Sequence, residues 1–117
     1  MADIYPKFII ETYDQQGDCM ILGKCTFHKE MAADLTKIKG GGWWELDRDK
    51  SLFTLYGDSY DFGKAKIRDI ANCVQRKRVF SNRRMYRNYT VEFTFQYRDE
   101  SGEIIDLENC DINTLTD

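Results

Sequence analysis

The feature that most constrains the fold is the segment at residues 7–13, which reads Lys-Phe-Ile-Ile-Glu-Thr-Tyr. β-Branched and aromatic side chains dominate this segment, and such residues favour extended backbone. Apolar residues occupy both of its alternating sets of positions, which is typical of a strand that is covered on both faces. We therefore predict a strand that lies centrally in a sheet.

The residues that follow predict a hairpin and then a short helix. Turn-forming residues at 14–18 separate the first strand from a second apolar segment at 19–27, as in a β-hairpin. From residue 28 the apolar period changes to that of a helix, which we expect over residues 28–38. Its apolar stripe consists of Met31, Leu35 and Ile38. The glycines at 40–42 are expected to end this helix.

The second half of the chain repeats this alternation. Apolar segments at 43–47 and 52–56 flank a polar connection and predict a second hairpin. A second amphipathic helix is indicated by apolar residues at helical spacing, namely Ile67, Ile70, Ala71 and Val74. Residues 91–98 alternate in polarity and predict a strand, which is followed by a last strand at 103–107. The apolar face of the former consists of Val91, Phe93, Phe95 and Tyr97.

The element order ββαββαββ predicts an α+β fold, with a six-stranded mixed, largely antiparallel sheet and two flanking helices. A chain of 117 residues has the usual size of one domain and is too short for two independent cores. We therefore predict a single domain over residues 1–117, with a frayed acidic tail over about residues 109–117.

Composition excludes several classes of protein. Apolar residues make up 42% and aromatic residues 14% of the chain, which is too much for a disordered or low-complexity protein. No apolar run is long enough to span a bilayer and the first residues lack the features of a signal peptide, so we expect a cytoplasmic protein that does not contact membranes. Four separated cysteines and one histidine form no zinc signature, and we expect neither a metal nor another cofactor.

A basic segment at residues 75–88 contrasts with the rest of the chain, whose overall net charge is −3. The segment contains no acidic residue, and its cations are Arg76, Lys77, Arg78, Arg83, Arg84 and Arg87. Aromatic residues interleave with them, a mixture that can bind nucleic acid or dock an acidic or phosphorylated protein. The alternative is a solvated helix end, and the acidic remainder of the chain disfavours attraction of nucleic acid.

A glycine-bounded loop at residues 57–63 lies between the fourth predicted strand and the second helix. Such a junction directs free backbone N–H groups and the positive end of a helix dipole toward one point, which suits an anion. Ser59 adds a hydroxyl donor, whereas Asp58 and Asp61 bring negative charges that repel a phosphate unless they face away. The alternative is an ordinary turn capped by a serine or aspartate side chain.

His28 and Lys7 are candidates on chemical grounds. His28 is the only histidine, and its unperturbed pKa of about 6.5 allows it to accept and return a proton near neutrality. Lys7 begins the first strand and places a cation at the end of the sheet. The alternatives are a surface or partly packed histidine and a lysine whose stem covers apolar neighbours.

Four motifs occur in order along the chain: Lys7-Phe-Ile-Ile, Phe27-His28, the triple glycine at 40–42, and Leu55-Tyr-Gly-Asp-Ser-Tyr-Asp-Phe-Gly63. In this order and at these intervals they resemble the phosphohistidine phosphatase family, also called the Janus/Ocnus family. The resemblance extends from about residue 7 to the second helix. It implies a mixed sheet flanked by two helices and an activity that requires no metal.

The resemblance also implies roles for individual residues. His28 matches the general base that activates a water for attack on phosphorus, and Lys7 matches a lysine that binds the substrate phosphate. Ser59 and the backbone amide of Asp61 match the loop groups that hold the phosphoryl oxygens. Two positions depart from the family pattern: Trp43 stands where an arginine commonly follows the triple glycine, and Asp61 replaces a small apolar residue.

We therefore expect a small phosphatase-like domain that binds a phosphoryl group and hydrolyses phosphohistidine or another phosphoramidate. Its partner would be a phosphorylated protein or a small phosphoramidate. One alternative is a non-catalytic module on the same scaffold, which recognises a phosphoprotein, a nucleotide or nucleic acid through residues 75–88. Another is a structural or assembly protein whose pocket is vestigial. Trp43 and Trp44 are expected to lie one in the core and one over an edge of the sheet. The sequence leaves the oligomeric state open.

Overall fold

Residues 4–82 and 87–115, which the computed structural model describes, form one mixed sheet of seven strands and one α-helix. The strands are β1 (Tyr5–Tyr13), β2 (Gly17–Cys25), β3 (Ile38–Asp47), β4 (Leu52–Tyr56), β5 (Val79–Ser81), β6 (Thr94–Arg98) and β7 (Ile104–Asp106). The helix, α1 (Ile67–Gln75), lies between β4 and β5 in the chain, and the 3-10 turns are His28–Met31, Leu35–Lys37, Tyr89–Val91 and Ile112–Thr114. No helix within these two ranges is long and apolar enough to cross a membrane.

β1 lies inside this sheet, whose strand order is β5-β2-β1-β3-β4-β6-β7. It pairs antiparallel with β2 on one side and with β3 on the other. Phe8, Ile9 and Ile10 are completely buried, which shows that both faces of the strand are covered. The predicted position of this strand is confirmed, and so are the two hairpins, β1–β2 and β3–β4.

Each face of the sheet carries its own hydrophobic core. On one face lies the larger core, which α1 covers with side chains that include Ile67, Ile70, Ala71 and Val74, the stripe that predicted this helix. On the opposite face the smaller core includes Ile9, Cys19, Ile21 and Met31. The end of the chain, for which fraying is predicted from about residue 109, packs against the larger core up to Leu115.

The predicted fold class, a six-stranded sheet with two flanking helices, is wrong. Residues 28–38 form two 3-10 turns instead of a helix, and Ile38 is already the first residue of β3. The backbone N–H groups of Ala33 and Asp34, which a helix would pair with its own carbonyls, donate to the carboxylate of Glu11 in β1. These N–H groups therefore bond to a side chain of another element, instead of forming the backbone hydrogen bonds of the helix that the apolar spacing predicts.

The strand that the sequence pattern does not reveal is β5, which follows α1 directly. It pairs parallel with β2 at the edge of the sheet, and its three residues are too few to show an alternation. At the other end of the sheet, β6 begins at Thr94 instead of residue 91. Val91, which is predicted on the apolar face of that strand, lies in a 3-10 turn and is 80% exposed.

The glycines at 40–42 do not end a helix but lie inside β3. Gly40 has a φ of +131°, and a Cβ atom there would lie 2.7 Å from the Cα and the N of Ala65. β3 therefore passes so close to the segment before α1 that a side chain would have no room. This approach fixes residues 57–65 against the sheet.

Glu11 is a buried carboxylate that holds the two turns after β2 against β1. It is 1% exposed and accepts hydrogen bonds from the N–H groups of Ala33, at 3.1 Å, and Asp34, at 2.7 Å. The hydroxyl of Tyr13 donates a third bond, at 3.3 Å. Burial, and after it the charge of Glu11, raises the pKa of Tyr13 to about 12, which keeps this hydroxyl protonated as a donor.

Replacement of Glu11 should therefore destabilise the protein. We expect Glu11→Gln to lower the free energy of unfolding by about 1–3 kcal/mol, because the amide cannot accept from all three donors. Glu100→Gln, at an exposed position, should change it by less than about 0.5 kcal/mol and serves as the matched control. Urea unfolding followed by tryptophan fluorescence measures both values, and equal stability of the two variants would contradict the role of Glu11.

Candidate functional site

Gly41, in β3, is the point at which His28 and the loop at residues 57–63 meet. A Cβ atom at Gly41 would lie 3.0 Å from Cδ2 of His28 and 3.2 Å from Cβ of Ser59. It would also lie 2.5 Å from the carbonyl oxygen of Phe8, so only glycine leaves room there. Two of the predicted site residues, His28 and Ser59, therefore lie side by side across Gly41.

A hydrogen bond to the backbone fixes the ring of His28. The residue begins the 3-10 turn after β2 and is 3% exposed. Its Nε2 lies 2.8 Å from the carbonyl oxygen of Gly42, and because a carbonyl oxygen only accepts, Nε2 carries the proton. In the neutral ring Nδ1 then keeps its lone pair, and it makes no hydrogen bond to the described residues.

The surroundings of His28 favour the neutral imidazole. Burial lowers the pKa of His28 below its ordinary value of 6.5, and the positive charge of Lys7 lowers it further. The hydrogen bond to Gly42 and the negative charges of Asp61 and Asp58 act in the opposite direction without reversing the shift. A neutral ring with a free nitrogen can accept a proton at pH 7, which is what a general base requires.

Lys7 places a cation next to this histidine. It is in register with Trp43 of β3, and its Nζ lies 5.0 Å from the centroid of the Trp43 ring and 5.8 Å from that of Tyr5. Nζ also donates a hydrogen bond to the carbonyl oxygen of Thr26. Within the described part of the chain no carboxylate forms an ion pair with Lys7, although the residue is only 7% exposed.

The loop at residues 57–63 is closed by its own hydrogen bonds and docks on β3. The N–H of Ser59 donates to the carbonyl of Gly63 at 3.1 Å, and the N–H of Gly63 donates back at 2.8 Å. The N–H of Gly41 shares the Gly63 carbonyl, also at 3.1 Å. The Ser59 Oγ accepts from the N–H of Phe62 at 3.1 Å, as in a capped turn, and this leaves the hydroxyl proton free to donate.

Asp61 and Asp58 give the loop both a donor and negative charge. The N–H of Asp61 makes no hydrogen bond to any described residue. Both aspartates are exposed, and both act on His28 through their charge. Because α1 begins only at Ile67, the loop does not lead directly into the helix, and its donors are its own backbone and hydroxyl groups.

Trp43 covers the group formed by His28, Lys7 and the loop. The centroid of its ring lies 6.3 Å from that of His28 in an edge arrangement. Its Nε1 donates to the carbonyl oxygen of Asp58 at 3.1 Å, and a Cβ atom at Gly57 would lie 2.8 Å from its Cδ1. Access of a ligand to His28 therefore depends on the position of this indole.

The first cations of the basic segment lie near the turn between β1 and β2. Arg78 donates a hydrogen bond from Nη2 to Oε1 of Gln16 at 2.6 Å. Nη1 of Arg76 would lie 3.7 Å from a Cβ atom at Gly17. Lys77, with a φ of +59°, turns the chain from α1 toward β5.

The remaining described cation of this segment, Arg87, lies beside two aromatic rings and one carboxylate. Its guanidinium is 5.5 Å from the ring centroid of Tyr89 and 5.6 Å from that of Phe93, and it pairs with Glu92. The predicted binding residues Arg83 and Arg84 lie outside the described residues.

Two contributors to the site carry no clear signal in the sequence. The carbonyl group of Gly42 fixes the tautomer of His28, and a backbone group has no sequence signature. The contact at Gly41 is signalled only by the triple glycine, which is equally typical of a helix end.

Trp44, in contrast to Trp43, packs against the larger core.

Comparison with models of protein families, with curated proteins and with solved structures gave no match. Residues 4–82 and 87–115 contain no group of three or more histidine, cysteine, aspartate or glutamate side chains that could hold a metal ion. The functional interpretation of the site therefore depends on its geometry and charges.

We expect His28 to titrate with a pKa below 6.5 and to carry its proton on Nε2 when neutral. Because the chain has one histidine, its ring signals in a proton–nitrogen NMR correlation spectrum need no further assignment. A pH series of such spectra measures both the pKa and the tautomer. A pKa above 6.5, or a proton on Nδ1 in the neutral ring, would contradict this description of the site.

Proposed function

We propose that the protein binds a phosphoryl group beside His28 and hydrolyses phosphohistidine or another phosphoramidate. The observation that supports this proposal is the meeting of His28 and Ser59 across Gly41, with a neutral imidazole whose Nδ1 is free. Lys7 adds a cation whose charge acts on the same histidine. A base, a hydroxyl donor and a cation close together are the groups that phosphoryl transfer to water requires.

In the proposed reaction Nδ1 of His28 is the general base. It takes a proton from a water molecule while the oxygen of that water forms a bond to phosphorus. The leaving nitrogen takes a proton from solvent and becomes positively charged. The bond between phosphorus and nitrogen then breaks, and its electron pair stays with that nitrogen. His28 returns its own proton to solvent, so inorganic phosphate and the free imidazole or amine are the products.

Three donors are proposed to hold the phosphoryl oxygens: the ammonium group of Lys7, the hydroxyl of Ser59 and the N–H of Asp61. Each has capacity left, since the ammonium group donates one of its three protons to the carbonyl oxygen of Thr26 and the other two groups have unused protons. Donors that are fixed before the substrate binds stabilise the charge of the transition state without reorganising.

The exposed carboxylates of Asp58 and Asp61 favour a nitrogen leaving group over an oxygen leaving group. They repel every phosphoryl dianion, and a phosphate monoester offers nothing to offset this repulsion. The leaving nitrogen of a phosphoramidate becomes protonated, and its positive charge is attracted by the same carboxylates. We therefore propose that phosphoramidates are better substrates than phosphate monoesters.

The test is release of phosphate from a phosphohistidine peptide, followed by phosphorus NMR at several pH values. The wild-type rate should rise as the pH passes through the lowered pKa of His28 and level off near neutrality, because only the neutral imidazole accepts a proton. His28→Ala should lower the rate by about 100-fold or more, as expected for the loss of a general base. Ser59→Ala should lower it by about tenfold or more through loss of a donor.

Ser101→Ala, in the turn between β6 and β7, is the matched control for Ser59→Ala, and circular dichroism establishes that each variant folds. Equal rates in the wild type and His28→Ala would disprove the role of His28. If no variant releases phosphate but inorganic phosphate shifts the His28 signals, the domain is a non-catalytic phosphoryl-binding module.

Removal of the Trp43 indole should make the site more accessible. We expect Trp43→Ala to bind inorganic phosphate about two- to tenfold more tightly, because an aromatic contact worth about 0.5–1.5 kcal/mol no longer has to be displaced. Trp43→Phe retains a ring and should resemble the wild type. The shift of the His28 NMR signals with added phosphate gives the affinities, and weaker binding by Trp43→Ala would show that the indole forms part of the site.

A further inference from the structure

A second candidate site lies on the face of the sheet that α1 covers. A cavity of about 780 Å³ opens there beside β2 and β3, and the half-buried rings of Trp44, Tyr89 and Phe93 are among its walls. Successive residues of a strand point to opposite faces, so Trp44 lines this cavity whereas Trp43 faces His28. Among the described residues, none that lines this cavity belongs to the site at His28.

The rings of this cavity are held in place before any ligand binds. Phe53, which is buried beneath them, contacts all three edge-on, with centroid distances of 5.4 Å to Trp44, 5.2 Å to Tyr89 and 5.0 Å to Phe93. Nε1 of Trp44 donates to two backbone carbonyl oxygens, at 3.1 Å each. A fixed aromatic surface offers stacking at a low cost in conformational entropy.

Three basic side chains of the described part of the chain line the cavity beside these rings. Lys24 and Arg48 line the cavity, and neither side chain has an ion pair or hydrogen bond to another described residue. Arg87 also lines it and lies over two of the rings. These three groups give the cavity a positive rim in a chain whose net charge is −3.

Acidic groups offset this charge only in part. Glu45 is the one acidic residue among the described residues that line the cavity, and it already pairs with Arg98 at 3.2 Å. Glu92 pairs with Arg87 and does not line the cavity. Lys24 and Arg48, which have no partner among the described residues, therefore set the sign of the charge that a ligand meets.

We propose that this cavity binds a nucleobase together with an adjoining phosphate, from single-stranded nucleic acid or from a free nucleotide. The rings offer a stacking surface to any base, and the cations at the rim contact the phosphate. An apolar peptide would use the rings without the cations, and a simple polyanion would use the cations without the rings. A volume of about 780 Å³ also lies in the usual range of small-ligand sites.

The test is fluorescence anisotropy with a fluorescein-labelled short oligouridylate, repeated over a range of salt concentrations. We expect binding that weakens with salt, with a slope of about −1.4 to −2.1 in a double logarithmic plot for two or three phosphate contacts. Tyr89→Leu keeps an apolar side chain but removes a ring, and it should weaken binding about tenfold. Phe93→Leu is a second ring variant in case Tyr89→Leu does not fold.

Arg48→Glu should weaken binding by about tenfold, because it removes a phosphate contact and adds a repulsive charge. Lys50→Glu changes the same charge in the same turn but does not line the cavity, and it should change the affinity by less than about twofold. Equal effects of these two variants would overturn the assignment of the cavity.

Competitors identify the source of the ligand and complete the test. Displacement of the probe by uridine monophosphate at a similar concentration supports the proposal and assigns the site to free nucleotides, whereas displacement by unlabelled oligouridylate alone assigns it to single-stranded nucleic acid. Equal displacement by inorganic tripolyphosphate, together with unchanged binding by both ring variants, would reduce the site to a charged surface and overturn the proposal. Absence of probe binding, or preferential binding of an acidic peptide, would also overturn it.

Discussion

Close contact of β3 with its neighbours at residues 40–42 is the constraint on which the rest of the structure depends. A Cβ atom at any of these three positions would meet another atom at 2.7 Å or less. The missing side chains allow the segment before α1, the ring of Phe8 and the turn that begins at His28 to approach one strand together. The sheet, the segment before α1 and the candidate site are therefore in close contact at residues 40–42.

Two polar side chains of β1 lie beside the smaller core and contact the segment between β2 and β3. Lys7, Ile9 and Glu11 alternate along β1 and therefore share one face. The carboxylate at one end of this row holds residues 33 and 34, and the ammonium group at the other end lies beside His28. Because the carboxylate binds two backbone N–H groups of the segment between β2 and β3, it holds this segment against β1.

Much of the fold could be predicted from the sequence because the apolar residues of its main elements recur with the spacing of a strand or a helix. β1, both hairpins and α1 each bury several residues in a regular pattern. The segment at 28–38 carries a helical spacing, yet the acceptor that prevents the helix, Glu11, lies more than twenty residues away and leaves no trace in local periodicity. The sequence shows that His28 and Ser59 have side chains suited to the site. Their proximity at Gly41 depends on tertiary structure, which local sequence patterns do not reveal.

Trp43 and Trp44 are neighbours in the chain but belong to different faces of the sheet. Ligands at the two proposed sites would therefore be separated by the thickness of a sheet, and both could be bound at once without steric conflict.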